Sequence, residues 1–309
     1  MTPLTRREFI AIGATAAALT GRGTQPGPQL AVTMDDFNML EDVHLTGAER
    51  SERILATLRR HGAQAMALVI GRNAETPVGR TILNSWATAG HVIGNHSYSH
   101  PDYHSGSTTA KAYIADFERA DDVLRGRRGF EKFFRFPMLR EGDTAEKRDA
   151  MRRALAARGY RNASVTIDNS DFLIANELRA RFIADPRTDP RPYRDIYLGH
   201  MLAFARYFRD AARDVFGRHI AHTLLTHFNL VSALYLGDLL DALRDDGWSI
   251  TSASAVYQDE VFRRQPDVLP AGDSLVWACA QETRRALPKA PVENDAWLER
   301  QFAALRTPR

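Results

Sequence analysis

Short, largely apolar runs alternate along this chain with longer stretches in which apolar residues recur every three or four positions. Leu30–Met34 is such a run and ends in Asp35-Asp36. Residues 47–62 set Ile54, Leu55 and Leu58 at helical spacing among charges. Ala65–Ile70, closed by Gly71, reads as a second buried strand, and Pro77 opens a helix running to Ala89-Gly90. Val92–Gly94, Phe133–Phe136 and Ala163–Ile167 are the predicted third, fourth and fifth strands. Helices over Thr108–Leu124 and Asp143–Arg158 lie between them. Residues 172–221 break the rhythm with a charged, helix-prone excursion around the loop Asp185–Pro192. A strand at Thr223–Thr226, a helix at Ser232–Arg244 and a seventh strand at Ser249–Thr251 resume it.

Strands that are apolar on both faces, separated by helices, predict a parallel sheet covered by helices. Some seven such units point to a barrel or near-barrel of the TIM type, with a doubly wound open sheet as the alternative. Nothing like G-x-G-x-x-G follows the first strand, which argues against a dinucleotide. Residues 30–309 are expected to form a single domain, with the chemistry within 30–255 and a C-terminal extension over 256–309.

Composition adds an address. The chain has 309 residues, 44% hydrophobic and 26% charged, with a formal net charge of +3. Arg6, Arg7 and Arg22 against Glu8 put most of that excess in the first thirty residues. The nearly neutral remainder gives no reason to expect nucleic acid or an anionic membrane surface as partner. Arg6-Arg7 before the weakly apolar stretch Phe9–Leu19 resembles a twin-arginine export signal, so residues 1–29 are expected to be leader and linker. Export would place the protein in the periplasm or outside the cell. Cleavage and retention of the leader both stay open, and no other segment approaches a transmembrane length. The lone Cys279 excludes an internal disulfide and a cysteine-based metal cluster.

Ionisable residues gather where strands end: Asp35 and Asp36, His96 and His100, Arg135, Asp168 and Asp171, and His227. In parallel α/β folds the carboxyl ends of strands share one mouth. Singly, each has an ordinary reading: packed or capping histidines, solvated turn carboxylates, a surface ion pair. His96 and His100, at i and i+4 on one face of a helical turn, could both reach one ion. One added carboxylate gives a His-His-Asp set with open positions, the layout of a catalytic metal site. Asp35 and Asp36, pointing in opposite directions on an extended segment, could serve the water and the ion separately. A non-haem iron oxygenase shares the ligand set, but the strand–helix alternation argues against it. A serine hydrolase lacks its G-x-S-x-G. A sugar-binding protein without catalysis needs neither Asp35 nor His227.

In their order, five segments resemble the motifs of the NodB-homology polysaccharide deacetylases, carbohydrate esterase family four. These are Thr33-Met34-Asp35-Asp36, Asn95-His96-Ser97-Tyr98-Ser99-His100, Arg135-Phe136-Pro137, Asp168-Asn169-Ser170-Asp171-Phe172 and Leu225-Thr226-His227. The resemblance implies a distorted (β/α)7 barrel and one divalent metal on Asp36, His96 and His100, zinc foremost, cobalt or nickel otherwise. It implies removal of an acyl group, N-acetyl foremost, from an amino sugar or related glycan by metal-activated water. Asp35 would be the base, oriented by Arg135; His227 would be the acid, tuned by Asp171. Leu225 and Phe172 would line the acyl pocket, and the Met138 backbone N–H would face the oxyanion. De-O-acetylation, or hydrolysis of a small C–N amide, is the alternative on the same scaffold. Phe37, Phe172 and Met138 stand where the family usually has glycine, tryptophan and tyrosine; a ring at Phe37 is expected to narrow the groove beside the base. Residues 172–221 and the tail could shape a lid, and Tyr193, Tyr197 and Tyr207 either stack on sugar or pack between helices.

Overall fold

A computed structural model describes residues 27–39, 42–290 and 296–306. Residues 1–26 of the expected leader and linker, 1–29, lie outside that range. The strands are β1 (Gln29–Asp35), β2 (Ala65–Val69), β3 (Val92–Asn95), β4 (Phe130–Phe134), β5 (Arg140–Gly142), β6 (Arg161–Asn162), β7 (His222–His227), β8 (Ser249–Ile250) and β9 (Ala271–Gly272). The helices are α1 (Gly47–Arg60), α2 (Gly71–Ala74), α3 (Pro77–Thr88), α4 (Ala110–Leu124), α5 (Ala145–Ala157), α6 (Asp171–Ala184), α7 (Arg191–Phe216), α8 (Leu230–Asp245), α9 (Ala253–Val256), α10 (Leu275–Glu282) and α11 (Ala296–Arg306).

One parallel sheet runs β6-β4-β3-β2-β1-β7, with β8 joined to β1. It curls into a distorted barrel of the predicted class. β1 and β2 are buried almost throughout, because helices cover the outside and side chains fill the inside. Local chemistry starts the helices where the polar signals stand. Thr46 and Glu49 form a reciprocal capping box on α1, Thr76 with Pro77 opens α3, and Asn229 caps α8.

The predicted fifth strand is the main departure. Only β6 pairs with β4; Ala163–Ile167 then crosses to β7, where Ile167 N–H reaches the Thr223 carbonyl at 3.0 Å. Its apolar residues Ala163, Val165 and Ile167 are buried, but no continuous ladder serves the run's carbonyls. Arg135 takes that of Ala163, Tyr257 that of Ser164, the Leu275 N–H that of Val165 and the Ser274 hydroxyl that of Thr166. Hydrogen bonds from the C-terminal region thus help to close the barrel, satisfying a buried backbone that a strand would otherwise serve. The predicted seventh strand is the two-residue β8.

The excursion after residue 171 is a helical pair, α6 and α7, packed on α8. It forms one wall of the cleft and not a flap. Tyr193 and Tyr197 are buried in the core, and Tyr207 bonds the Pro288 carbonyl, so all three serve packing.

Candidate metal and acid–base site

Strand register brings the site together. Asp35 is level with His227, Val69 with Asn95, and Asn95 with Phe134. One residue further along their strands, Asp36, His96 and Arg135 emerge on the same rim.

The chain then turns sharply. Asp36 and Phe37 have φ of +71° and +48°, Ser97 and His100 +64° and +59°, Met138 and Leu139 +54° and +56°. Left-handed backbone is unfavourable for side-chain-bearing residues, and here it clusters in three strand-end loops. Two expectations change in consequence. Asp35 and Asp36 do not diverge as on extended chain: their carboxylates lie 3.8 and 3.5 Å from the same His96 Nε2. The histidines do not sit on a helical turn. Residues 96–100 form an irregular loop held by Asn95, Ser97 and Asp116 side chains.

Phe37 is the clearest correction. The left-handed turn drives its ring down into the core, fully buried between Trp86 and Phe228, at 4.7 and 4.6 Å between centroids. It narrows no groove and lines no acyl pocket.

Asp36 Oδ1 lies 3.3 Å from His100 Nε2 and 3.5 Å from His96 Nε2. The three ligand atoms fall within 4.8 Å of one another. His96 Nδ1 sits 2.9 Å from the Arg135 carbonyl, which can only accept, so Nδ1 carries the proton. A neutral His96 then turns the Nε2 lone pair toward a carboxylate oxygen, an arrangement that fits a cation between them. Burial would raise the Asp36 carboxyl, but its contacts with His100 and His96 outweigh this and hold it well below the usual range.

Behind this cluster, Arg135 is almost wholly buried. One terminal nitrogen donates to Asp35 at 2.5 Å and to Thr33 at 2.9 Å; the other donates to the Tyr257 hydroxyl at 3.2 Å. Breaking such a buried pair leaves an uncompensated charge, which fixes the orientation of Asp35. Tyr257 carries no signal in the sequence: it lies 122 residues from Arg135 with no motif around it.

On the opposite wall, Asp171 begins α6 fully buried. It accepts from His227 Nδ1 at 2.5 Å, from the His227 backbone N–H at 3.1 Å and from Asn229 at 3.1 Å. Burial works against a charged His227, yet Asp171 outweighs it and raises the imidazole from 6.5 to about 10. Phe172 stands edge-on to His227, 5.8 Å between centroids, and is 43% exposed at the mouth. Leu225 is buried on β7, level with Thr33. Met138 is exposed in the turn after Arg135. Asp168 does not join the metal cluster; burial, with Asp273 adding to it, pushes its carboxyl up to about 7. A cleft of about 450 Å³ opens beside Asp36, His227 and Phe172, within the size range of small-ligand sites.

Residues 22–163 match the polysaccharide deacetylase family. A peptidoglycan-N-acetylglucosamine deacetylase of Bacillus cereus is 32% identical over 110 residues, 35% of this chain. The match spans only 36% of that relative's length. The chitin deacetylase of Colletotrichum lindemuthianum superposes with a TM-score of 0.52 at 20% identity, over 75% of this chain and 88% of that one. A peptidoglycan N-acetylglucosamine deacetylase superposes at 0.50 and 20%, covering 75% and 91%. A mutant pseudoenzyme of carbohydrate esterase family four, with restored activity, superposes at 0.52 and 17%, covering 75% and 68%. A fold shared with a pseudoenzyme does not decide activity; the residues of the site must.

Proposed function

From the match of residues 22–163 to the polysaccharide deacetylase family and the likeness to a peptidoglycan-N-acetylglucosamine deacetylase, we propose that this chain is a NodB-homology deacetylase that hydrolyses the acyl–nitrogen bond of an N-acylated amino sugar, the N-acetyl group foremost. The observation that carries the reading is the sharing of one rim by three units. These are a cation-fitting set of Asp36, His96 and His100, a carboxylate held by a buried arginine, and an imidazole held by a buried carboxylate.

Asp36, His96 and His100 would hold one divalent ion, zinc foremost and cobalt or nickel otherwise, which when bound would make water acidic enough to lose a proton near neutral pH. Asp35 takes that proton, its other contacts fixed by Arg135. The Met138 backbone N–H faces the developing oxyanion, a role worth about 2.7–4 kcal/mol in comparable sites. An amine leaves poorly until protonated, and His227 gives it a proton from an imidazolium that Asp171 stabilises. Phe172, with Leu225 behind, walls the acyl methyl. The products are a carboxylate and a free amine. The reading includes export by the twin-arginine route, supported by Arg6-Arg7 and by a fold that needs no disulfide: Cys279 is free and buried.

The test is acid and amine release from chitin-type, peptidoglycan-type and xylan-type oligomers. Equimolar acetate and amine from an amino sugar is the expected result. Acetate from O-acetylated xylan alone would move the reading to de-O-acetylation, and turnover of none of the three would overturn it.

A further inference from the structure

The pair of His227 and Asp171 has a support that stands in none of the five motif segments. α6 begins with Ser170 as its N-cap, yet the Ser170 hydroxyl makes no capping bond. The first N–H groups of a helix need partners from outside it. Here that of Asp171 goes to the Asn169 side chain at 3.0 Å, and that of Ser170 goes to His200 Nε2 at 3.0 Å. Asn169 is itself tied to β7, donating to the Leu225 carbonyl at 2.7 Å. The peptide leading into Asp171 is therefore held from β7 on one side and from α7 on the other.

His200 stands in the middle of α7 and is buried. Its ring lies against Phe204 and Trp297, 4.7 and 6.4 Å between centroids, so α7 and α11 fix its direction. A backbone N–H can only donate. Nε2 thus meets it with a lone pair, and the ring is neutral with its proton on Nδ1. A neutral acceptor suits the position. A cation there would offset the charge that Asp171 presents to His227, and an apolar side chain would leave a helix-end N–H unserved. Asp171 has little freedom to spare. One oxygen takes His227 Nδ1 at 2.5 Å, and the other takes the His227 N–H and Asn229 at 3.1 Å each. A displaced α6 start would disturb all three contacts together.

We propose that His200 is a positioning residue for the proton donor: by holding the Ser170 peptide it sets where Asp171 meets His227. This rests on the deacylase reading above, in which His227 delivers the proton.

The experiment compares the full zinc-loaded chain as wild type, His200→Leu and His200→Gln. Gln keeps an acceptor at a similar reach to Nε2, and Leu does not. Steady-state acetate release gives kcat, KM and the alkaline limb of kcat, while proton NMR follows the low-field His227 Nδ1–H signal. His200→Leu should lower kcat by about tenfold with KM unmoved, pull the alkaline limb down and shift the signal upfield. His200→Gln should recover most of each. In the Asp171→Asn background, His200→Leu should change kcat by less than about twofold, because His200 acts through Asp171. A bond serving helix packing alone would lower the melting temperature and leave limb and signal in place. That result overturns the inference, as does a loss in the Asp171→Asn background as large as in the wild type. Should His200→Leu not fold, nitrogen NMR of the wild type decides: a lone pair on His200 Nε2 at neutral pH supports the inference, and a proton there overturns it. The Nδ1–H signal needs no turnover. Its shift in His200→Leu without hydrolysis of any acylated sugar would sink the deacylase reading alone, and hydrolysis with an unmoved signal would sink this inference alone.

Discussion

On one wall of the cleft, Asp36, His96 and Arg135 each leave a parallel strand one residue past matched register, and short loops turn them onto the rim. On the other, Asp171 follows a segment that abandons its strand after Asn162, and its neighbours are held by groups from distant parts of the chain. His227 leaves a regular strand, but its partner comes from α6, 56 residues earlier. The first wall is organised by the sheet, and its geometry follows from local sequence. The second is organised by side chains that replace a ladder, and its geometry follows from the whole fold.

Substitutions can separate the two modes, and the largest effect belongs to the sheet-built wall. Asp35→Asn removes the proposed base and should lower kcat by about 10³-fold or more; it also leaves Arg135 buried without its carboxylate, so the melting temperature should fall as well, as measured by steady-state acetate release and calorimetry. Phe37→Ala should act on folding and not on substrate: about 3–5 kcal/mol of stability lost, read by denaturant titration, with KM unmoved. A selective rise in KM would return Phe37 to the cleft.

On the other wall, Asp171→Asn should cost about 10² in kcat at neutral pH and move a pH limb. His227 acts only while protonated, and its value is raised from 6.5 to about 10, so activity falls as pH rises through the alkaline limb. Without Asp171, burial is opposed by the weaker pull of Asp36 and Asp35, and the limb should shift down in the kcat profile. An unmoved limb would detach the pair from catalysis. The smallest effect is Tyr257→Phe, which deprives Arg135 of one of its partners. It should lower kcat by less than about tenfold with KM unchanged. An equal loss in Thr33→Val would show that Arg135 is held from both sides.

The same division decides what could be read in advance. Strands β1, β2 and β3 are short apolar runs closed by charged residues or glycine, and the motif residues stand directly at their ends, so they were legible. Ala163–Ile167 resembles them in its buried Ala163, Val165 and Ile167, because burial selects such residues whether a ladder or side chains serve the backbone. A place beside the base does not put the Phe37 ring in the groove, because a φ of +48° turns it into the core. Tyr257 gave no signal, since it gains its meaning from a contact more than 100 residues away. His227 could be nominated only with Asp171, across 56 residues that periodicity does not bridge.

Metal analysis of the purified chain, coupled to acetate release, bears most directly on the whole account. One divalent ion per chain is expected, lost in Asp36→Ala and in His96→Ala. Chelation should abolish release, and zinc or cobalt should restore it. Release that survives full removal of the ion, or stoichiometric metal in the His96→Ala and Asp36→Ala chains, would contradict it.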